Sequence, residues 1–127
     1  MFDVEQGEVV LTPAAEPHPH EEVLEKQSNS AFIRTDLETR LHNRNITELV
    51  IIGVITNNSV EATARMAGNL GFRTAVIADA TFTFGRYDYN GNWRTAEEVH
   101  ALSLANMQGE YAEIYTTDEI IQKINLP

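Results

Sequence analysis

The hydrophobic positions of this chain change their period several times, and each change marks an element. "LVIIGVI", residues 49–55, is apolar on both faces, the pattern of a buried parallel strand rather than a half-exposed one. It stops at Thr56-Asn57-Asn58-Ser59, and a helical pattern begins at once. In "NNSVEATARMAGNLG", Asn58 or Ser59 stands as cap, Val60, Ala64 and Ala67 share one face, and Gly71 ends the helix. "TAVIADA" reads as a second buried strand. "TAEEVHALSLANMQGEY" opens with a capping box, Thr95 and Glu98, and is expected to bury Val99, Leu102 and Ala105 or Asn106. "AEIY" is a short strand and "TTDEIIQKINL" a closing helix. Upstream, "TDLETRLHNRN" carries a second capping box, Thr35 and Glu38, and sets Leu37 and Leu41 one turn apart. "EEVLEK" reads as a short strand ending at Lys26.

Apolar strands alternating with helices predict an α/β fold, a Rossmann-like three-layer arrangement with a parallel sheet and right-handed connections. Residues 1–20 differ, because they hold three of the four prolines and read as an extended piece followed by a loop. With 127 residues and no internal repeat, the chain 1–127 forms a single domain.

Composition narrows the function classes. The formal charge is −10 and the nine basic residues are scattered, which argues against nucleic acid. No apolar run approaches the ~20 residues of a membrane helix, and no signal-like stretch is seen, so a cytoplasmic protein without a membrane partner is expected. Cysteine is absent, which excludes disulfides, thiolate zinc sites and a cysteine nucleophile.

The candidate chemistry lies at the turn from strand to helix. In open parallel sheets ligands bind beyond the carboxyl ends of the strands, and both Thr56–Ser59 and the end of "TAVIADA" fall there. A side chain at a helix mouth meets free N–H groups and the positive end of the dipole. Ser59 is therefore either an ordinary N-terminal cap, the commonest use of serine at a helix start, or a nucleophile with an oxyanion hole built from the same amides.

"GVITNNSVEATARMAGNLGFRTAVIADAT" resembles the signature of the isochorismatase-like cysteine hydrolases, which include nicotinamidases and carbamoylsarcosine amidase. The matching positions are Gly53, Val54, Thr56, Val60, Thr63, Ala64, Gly71, Asp79 and Ala80. Upstream, Lys26, Ser30, Ala31, Phe32, Thr35, Asp36 and Leu37 match a second segment of the family. The resemblance implies the isochorismatase-like hydrolase fold and hydrolysis of a C–N bond in a small amide. Lys26 becomes the catalytic lysine and Ser59 occupies the nucleophile position. The Val54–Ile55 peptide is expected to be cis and, with Thr56, to shape an oxyanion hole. Asn57 and Asn58 are either donors to a substrate carbonyl or plain turn-formers.

Two departures qualify the resemblance. The family's nucleophilic cysteine falls on Ser59, and nothing fits the family's catalytic Asp: "MFDVEQ" holds Asp3 and Gln6 but no apolar strand precedes them. A thiol near pKa ~8.5 is readily lowered by a helix N-terminus, whereas a serine hydroxyl needs a positioned base. Weak or no catalysis is expected of this chain, and a non-catalytic member acting as a binding or oligomer-forming module is the alternative. The true isochorismatase branch is disfavoured, since it needs the Asp and a different turn.

The family's sheet has strand order 3-2-1-4-5-6. If "EEVLEK" supplies the third strand and "LVIIGVI" the fourth, the two strands that belong between them have no counterpart, so "LVIIGVI" is expected to be a long apolar edge. The chain is then a fragment of a longer reading frame, or it completes its sheet with another chain as a homo-oligomer, or it re-pairs its strands.

No cofactor or metal is expected. Nicotinamidases carry a metal, but its ligands have no match here, and His18-Pro-His20 reads as solvated loop. His100 reads as a half-buried structural histidine; the family resemblance implies a bond from it to the loop after "DAT". Asp79 reads as a strand-end residue holding a neighbouring loop. Phe82, Phe84, Tyr87, Tyr89 and Trp93 crowd one loop, as a lid, a dimer contact or a satellite core.

Overall fold

The computed structural model describes residues 13–125; the Asp3 and Gln6 considered above lie outside them. Helix α1 spans Leu37–Asn43, strand β1 Glu48–Val54, helix α2 Glu61–Asn69 and strand β2 Arg73–Phe82. A hairpin of β3 (Arg86–Tyr87) and β4 (Trp93–Arg94) follows, then α3 (Ala96–Met107), β5 (Glu113–Tyr115) and α4 (Thr117–Asn125). The main sheet is parallel, in the order β1-β2-β5. Among the described residues no helix is long and apolar enough to cross a membrane.

The sheet has helices on both faces, the expected three layers. On one face Val76 of β2 packs with Val60 and Ala64 of the α2 region, Met107 of α3 and Ala112, with Ile51 of β1 beside them. On the other, Ala75 and Ile77 pack under Ile120 of α4. Helix α2 stops as anticipated at Gly71 (φ +92°), where the amides of Gly71 and Phe72 bond back to the carbonyls of Gly68 and Ala67. That is a Schellman closure, which requires a left-handed residue and favours glycine.

Strand β1 is the sheet's edge among the described residues. Val50, Ile52 and Val54 are 49%, 63% and 49% exposed, so the apolar open edge read from the sequence is present. The strand order keeps β1 beside β2, and no re-pairing occurs among the described residues.

Several local expectations fail. Residues 21–26 form no strand, and Val23 stands 57% exposed. No described strand lies beside them to complete a ladder. The Thr35–Glu38 capping box is not formed: the Thr35 hydroxyl donates to Ala31 O, and Asp36 takes the cap position without a side-chain bond. The Thr95–Glu98 box does form.

Helix α3 turns a different face inward from the one expected. Ser103 and Met107 are buried while Leu102 is 65% exposed. Apolar residues surround this helix, so periodicity alone chose the wrong side. Two polar residues, His100 and Ser103, decide the orientation by finding partners inward. The loop after β2 is in part strand and hairpin. Its aromatics Phe82, Phe84, Tyr87, Tyr89 and Trp93 are all more than half exposed, so the satellite-core reading is wrong.

Candidate active site

Strand β1 does not run straight into its helix. Its register against β2 shifts between Ile51 and Gly53, with Gly53 at φ +129°. The Val54–Ile55 peptide is cis, and Ile55 is extended (φ −99°, ψ 149°). The chain then winds through one wide helical turn, Thr56–Val60, before α2. The Val60 amide reaches back five residues to Ile55 O at 3.4 Å, and the Glu61 amide does the same to Thr56 O. Such wide turns recur at functional sites. The cap reading of Ser59 is thereby overturned, and so is that of Asn58: the serine lies inside the turn, and Ile55 stands at the helix start with no side-chain cap.

The loop that carries Lys26 is tied to the same helix. The Ala31 amide donates to Thr63 Oγ1 at 3.0 Å, and the Phe32 amide to Ser30 Oγ at 3.2 Å, with Ser30 buried. Thr63 is one turn beyond Ser59, so the helix face presenting position 59 also holds the lysine loop. Lys26 Nζ donates to Ser28 O at 2.8 Å and Asn29 O at 3.1 Å, and lies 3.5 Å from Ser59 Oγ. An ammonium has three protons and no lone pair. With two given to carbonyls, the third faces position 59. Lys26 is thus built to donate to an oxygen or stabilise an anion there, not to take a proton. Among the described residues no carboxylate ion-pairs with it.

The other predicted residues divide. Thr56 is fully buried, its hydroxyl 2.7 Å from His100 Nδ1. The Asn57 carboxamide oxygen accepts from the Thr83 hydroxyl and so fastens the turn to the chain after β2. Asn58 is exposed, and its amide bonds to Ile55 O at 3.1 Å. A concavity between the hairpin and α3 is lined by Asn57, Glu61, Arg86, Tyr87, Leu102 and Ser103; neither Ser59 nor Lys26 borders it.

His100 is half-buried, as expected, but its Nε2 bonds to Ala78 O within β2 at 2.9 Å, not to the loop beyond. Asp79 is at the N-terminus of α4, accepting from the Thr117 amide (2.7 Å) and hydroxyl (2.8 Å). The Thr117 hydroxyl and then its amide hold the Asp79 carboxyl below the usual carboxylate range. His18 and His20 stack 6.0 Å apart in an exposed loop, and the described residues contain no group of three or more His, Cys, Asp or Glu able to hold a metal.

Sequence reasoning missed Glu61, Ser103 and Thr83, and placed Thr63 in the family signature without assigning it a role. The usable signal for Ser103 was its spacing from His100, two polar residues one turn apart in an otherwise apolar helix.

A model of the isochorismatase domain matches residues 2–119. The chain belongs to the isochorismatase family. It is 44% identical over 121 residues to the uncharacterised isochorismatase-family protein YrdC of Bacillus subtilis, covering 95% of this chain and 65% of YrdC. It is 35% identical over 100 residues to nicotinamidase 3 of Arabidopsis thaliana, covering 79% of this chain and 45% of that enzyme. Among solved structures, an isochorismatase-family protein from Chromobacterium violaceum superposes with a TM-score of 0.85 at 51% identity, over 87% of this chain and 57% of that one. The chain therefore spans between about half and two thirds of these isochorismatase relatives, and the parallel three-layer fold is the family's.

Proposed function

We propose that this isochorismatase-family chain carries the site of a hydrolase acting on a C–N bond of a small amide. Position 59 is the nucleophile position and Lys26 the catalytic lysine. One observation carries this reading: Lys26 Nζ approaches Ser59 Oγ to 3.5 Å at the mouth of a helix, just past the turned Val54–Ile55 peptide. The likeness to a nicotinamidase supports an amide as the substrate class. With serine in place of a thiol, and Lys26 engaged as a donor, the hydroxyl has no base among the described residues. Turnover by this chain is correspondingly weak or absent. No cofactor enters the reading, and a cytoplasmic setting accompanies it.

The test is Ser59→Cys, assayed for ammonia release from nicotinamide and small aliphatic amides. Activity above that of Ser59→Cys/Lys26→Ala supports the hydrolase; equal rates in the two variants overturn it.

The exposed row Val50, Ile52 and Val54 on an edge strand favours a second reading, in which the chain is a non-catalytic module that assembles as a homo-oligomer. A monodisperse monomer by light scattering at high concentration removes that reading.

A further inference from the structure

The turn that presents position 59 is wide, and a wide turn needs support from outside the helix. In an ordinary α-turn the Ser59 amide would bond to Ile55 O; here the amides of Asn58 and Val60 occupy that carbonyl instead. The support comes from α3. The Ala78 carbonyl can only accept, so His100 Nε2 carries a proton; in the neutral ring Nδ1 is then the acceptor for the Thr56 hydroxyl, 2.7 Å away. Ala78 is free for this because it lies past the β5 ladder, which ends at Ile77, and within the register shift of the β1 ladder. One turn along α3, Ser103 Oγ lies 3.2 Å from Thr56 O and 2.6 Å from Glu61 Oε1, its single proton shared between them. Thr56 is thus gripped at its hydroxyl and its carbonyl by residues of one helix. That helix is fixed at its start by a complete capping box and at its end by the fully buried Met107.

We propose that His100 and Ser103 are positioning residues: they clamp Thr56, hold the turn wide, and thereby aim the side chain and amide of position 59 at the face where Lys26 waits. Released, the turn tightens to regular helical bonding, the Ser59 amide withdraws to Ile55 O, and the side chain at 59 swings away from the lysine. This rests on the reading of position 59 given above, but its test does not require turnover.

The reporter is the thiol of Ser59→Cys. Its ionisation is followed by thiolate absorbance, and its reactivity by iodoacetamide alkylation across pH. Adding Thr56→Val, which keeps shape and removes the hydroxyl, is expected to raise the thiol pKa by about one unit and slow alkylation at neutral pH about tenfold. Adding His100→Leu acts in the same direction, Ser103→Ala acts more weakly, and Thr56→Ser restores the parent titration. A merely structural role predicts a lower melting temperature with the thiol titration unchanged, and that result overturns the clamp. Should Thr56→Val fail to fold, Ser103→Ala decides, since an unshifted titration there is equally fatal. A thiol that titrates as expected but releases no ammonia from any amide removes the hydrolase and leaves the clamp standing.

Discussion

The two faces of the sheet carry different loads. On the first, Val76, Val60, Ala64 and Met107 are each no more than 4% exposed, and α2 and α3 meet over them. On the second, α4 covers Ala75 and Ile77 with Ile120 but leaves Val50, Ile52 and Val54 bare, while Ile121 and Ile124 on α4 stay exposed. Every residue argued to hold position 59 in place belongs to the first face. The turn packs against α3, Thr63 holds the lysine loop, and Asn57 is tied to Thr83. The lesson is one of division. Geometry is fixed where the core is closed, and the surplus apolar surface lies where assembly is free to use it.

The contrast is sharpest in stability. Met107→Ala removes a fully buried side chain on the closed face and is expected to cost about 2–5 kcal/mol, depending on how far the site collapses. Ile52→Thr, on the open face of an edge strand, is expected to change stability by less than about 0.5 kcal/mol, as exposed substitutions do. It should also reduce any self-association seen by light scattering. Denaturant melts of the two variants measure the difference directly. Comparable losses would mean that Ile52 is covered in solution and that the two faces are not distinct.

A glycine on the closed face sharpens the point with a reversed sign. Helical Gly→Ala ordinarily stabilises by about 1 kcal/mol. Gly68 of α2, however, faces the Tyr111 backbone, and a Cβ added there would meet the Tyr111 carbonyl oxygen at 2.7 Å. That atom belongs to the main chain before β5 and cannot swing aside. Overpacking of this kind costs about 1–3 kcal/mol, so Gly68→Ala is expected to destabilise on balance. A raised melting temperature would show that α2 and the segment before β5 are less tightly joined than their contact implies.

Much of this was legible in the chain, and the reasons are specific. The doubly apolar runs around Ile51 and Val76 announced parallel strands; the one around Val76 is buried, whereas the one around Ile51 alternates between half-buried and exposed positions, so the expectation that it is buried fails. The Val60–Ala64–Ala67 stripe and Gly71 fixed α2 and its end. The open edge followed from counting strands. Position 59 and Lys26 were paired only through the family resemblance, since no spacing rule joins residues so far apart in sequence. What stayed illegible was set by tertiary partners. The inward face of α3 depends on His100 and Ser103 meeting Thr56, which outweighs burial of Leu102. "EEVLEK" reads as a short strand, but no described strand lies beside it to complete a ladder. The Thr35 hydroxyl donates to Ala31 O and accepts from the Leu37 amide rather than from that of Glu38, so the expected box does not close. The wide turn had no signal at all, because it is imposed from α3 and β2 rather than by the propensities of Thr56 to Val60.

The smallest expected effect tests whether the sparsely covered face is held by more than Ile120. Asp79 anchors the N-terminus of α4 through the Thr117 hydroxyl and amide, and these bonds depress its carboxyl pKa. A depressed folded-state value means that the ionised form is favoured by folding. Its contribution is complete above the unfolded-state value, near pH ~3.9, and is lost as pH falls through the lower folded value. Asp79→Asn is therefore expected to lower the melting temperature slightly at pH 7, with the gap from the parent chain closing in the acid range below the unfolded pKa. The carboxylate also lies at the positive end of the α4 dipole, which the neutral amide cannot exploit. Melts of the two chains between pH 7 and pH 3 give the difference curve. A gap independent of pH would mean that Asp79 acts through shape alone, and that α4 owes its place over Ala75 and Ile77 to packing by Ile120 without electrostatic help from the end of β2.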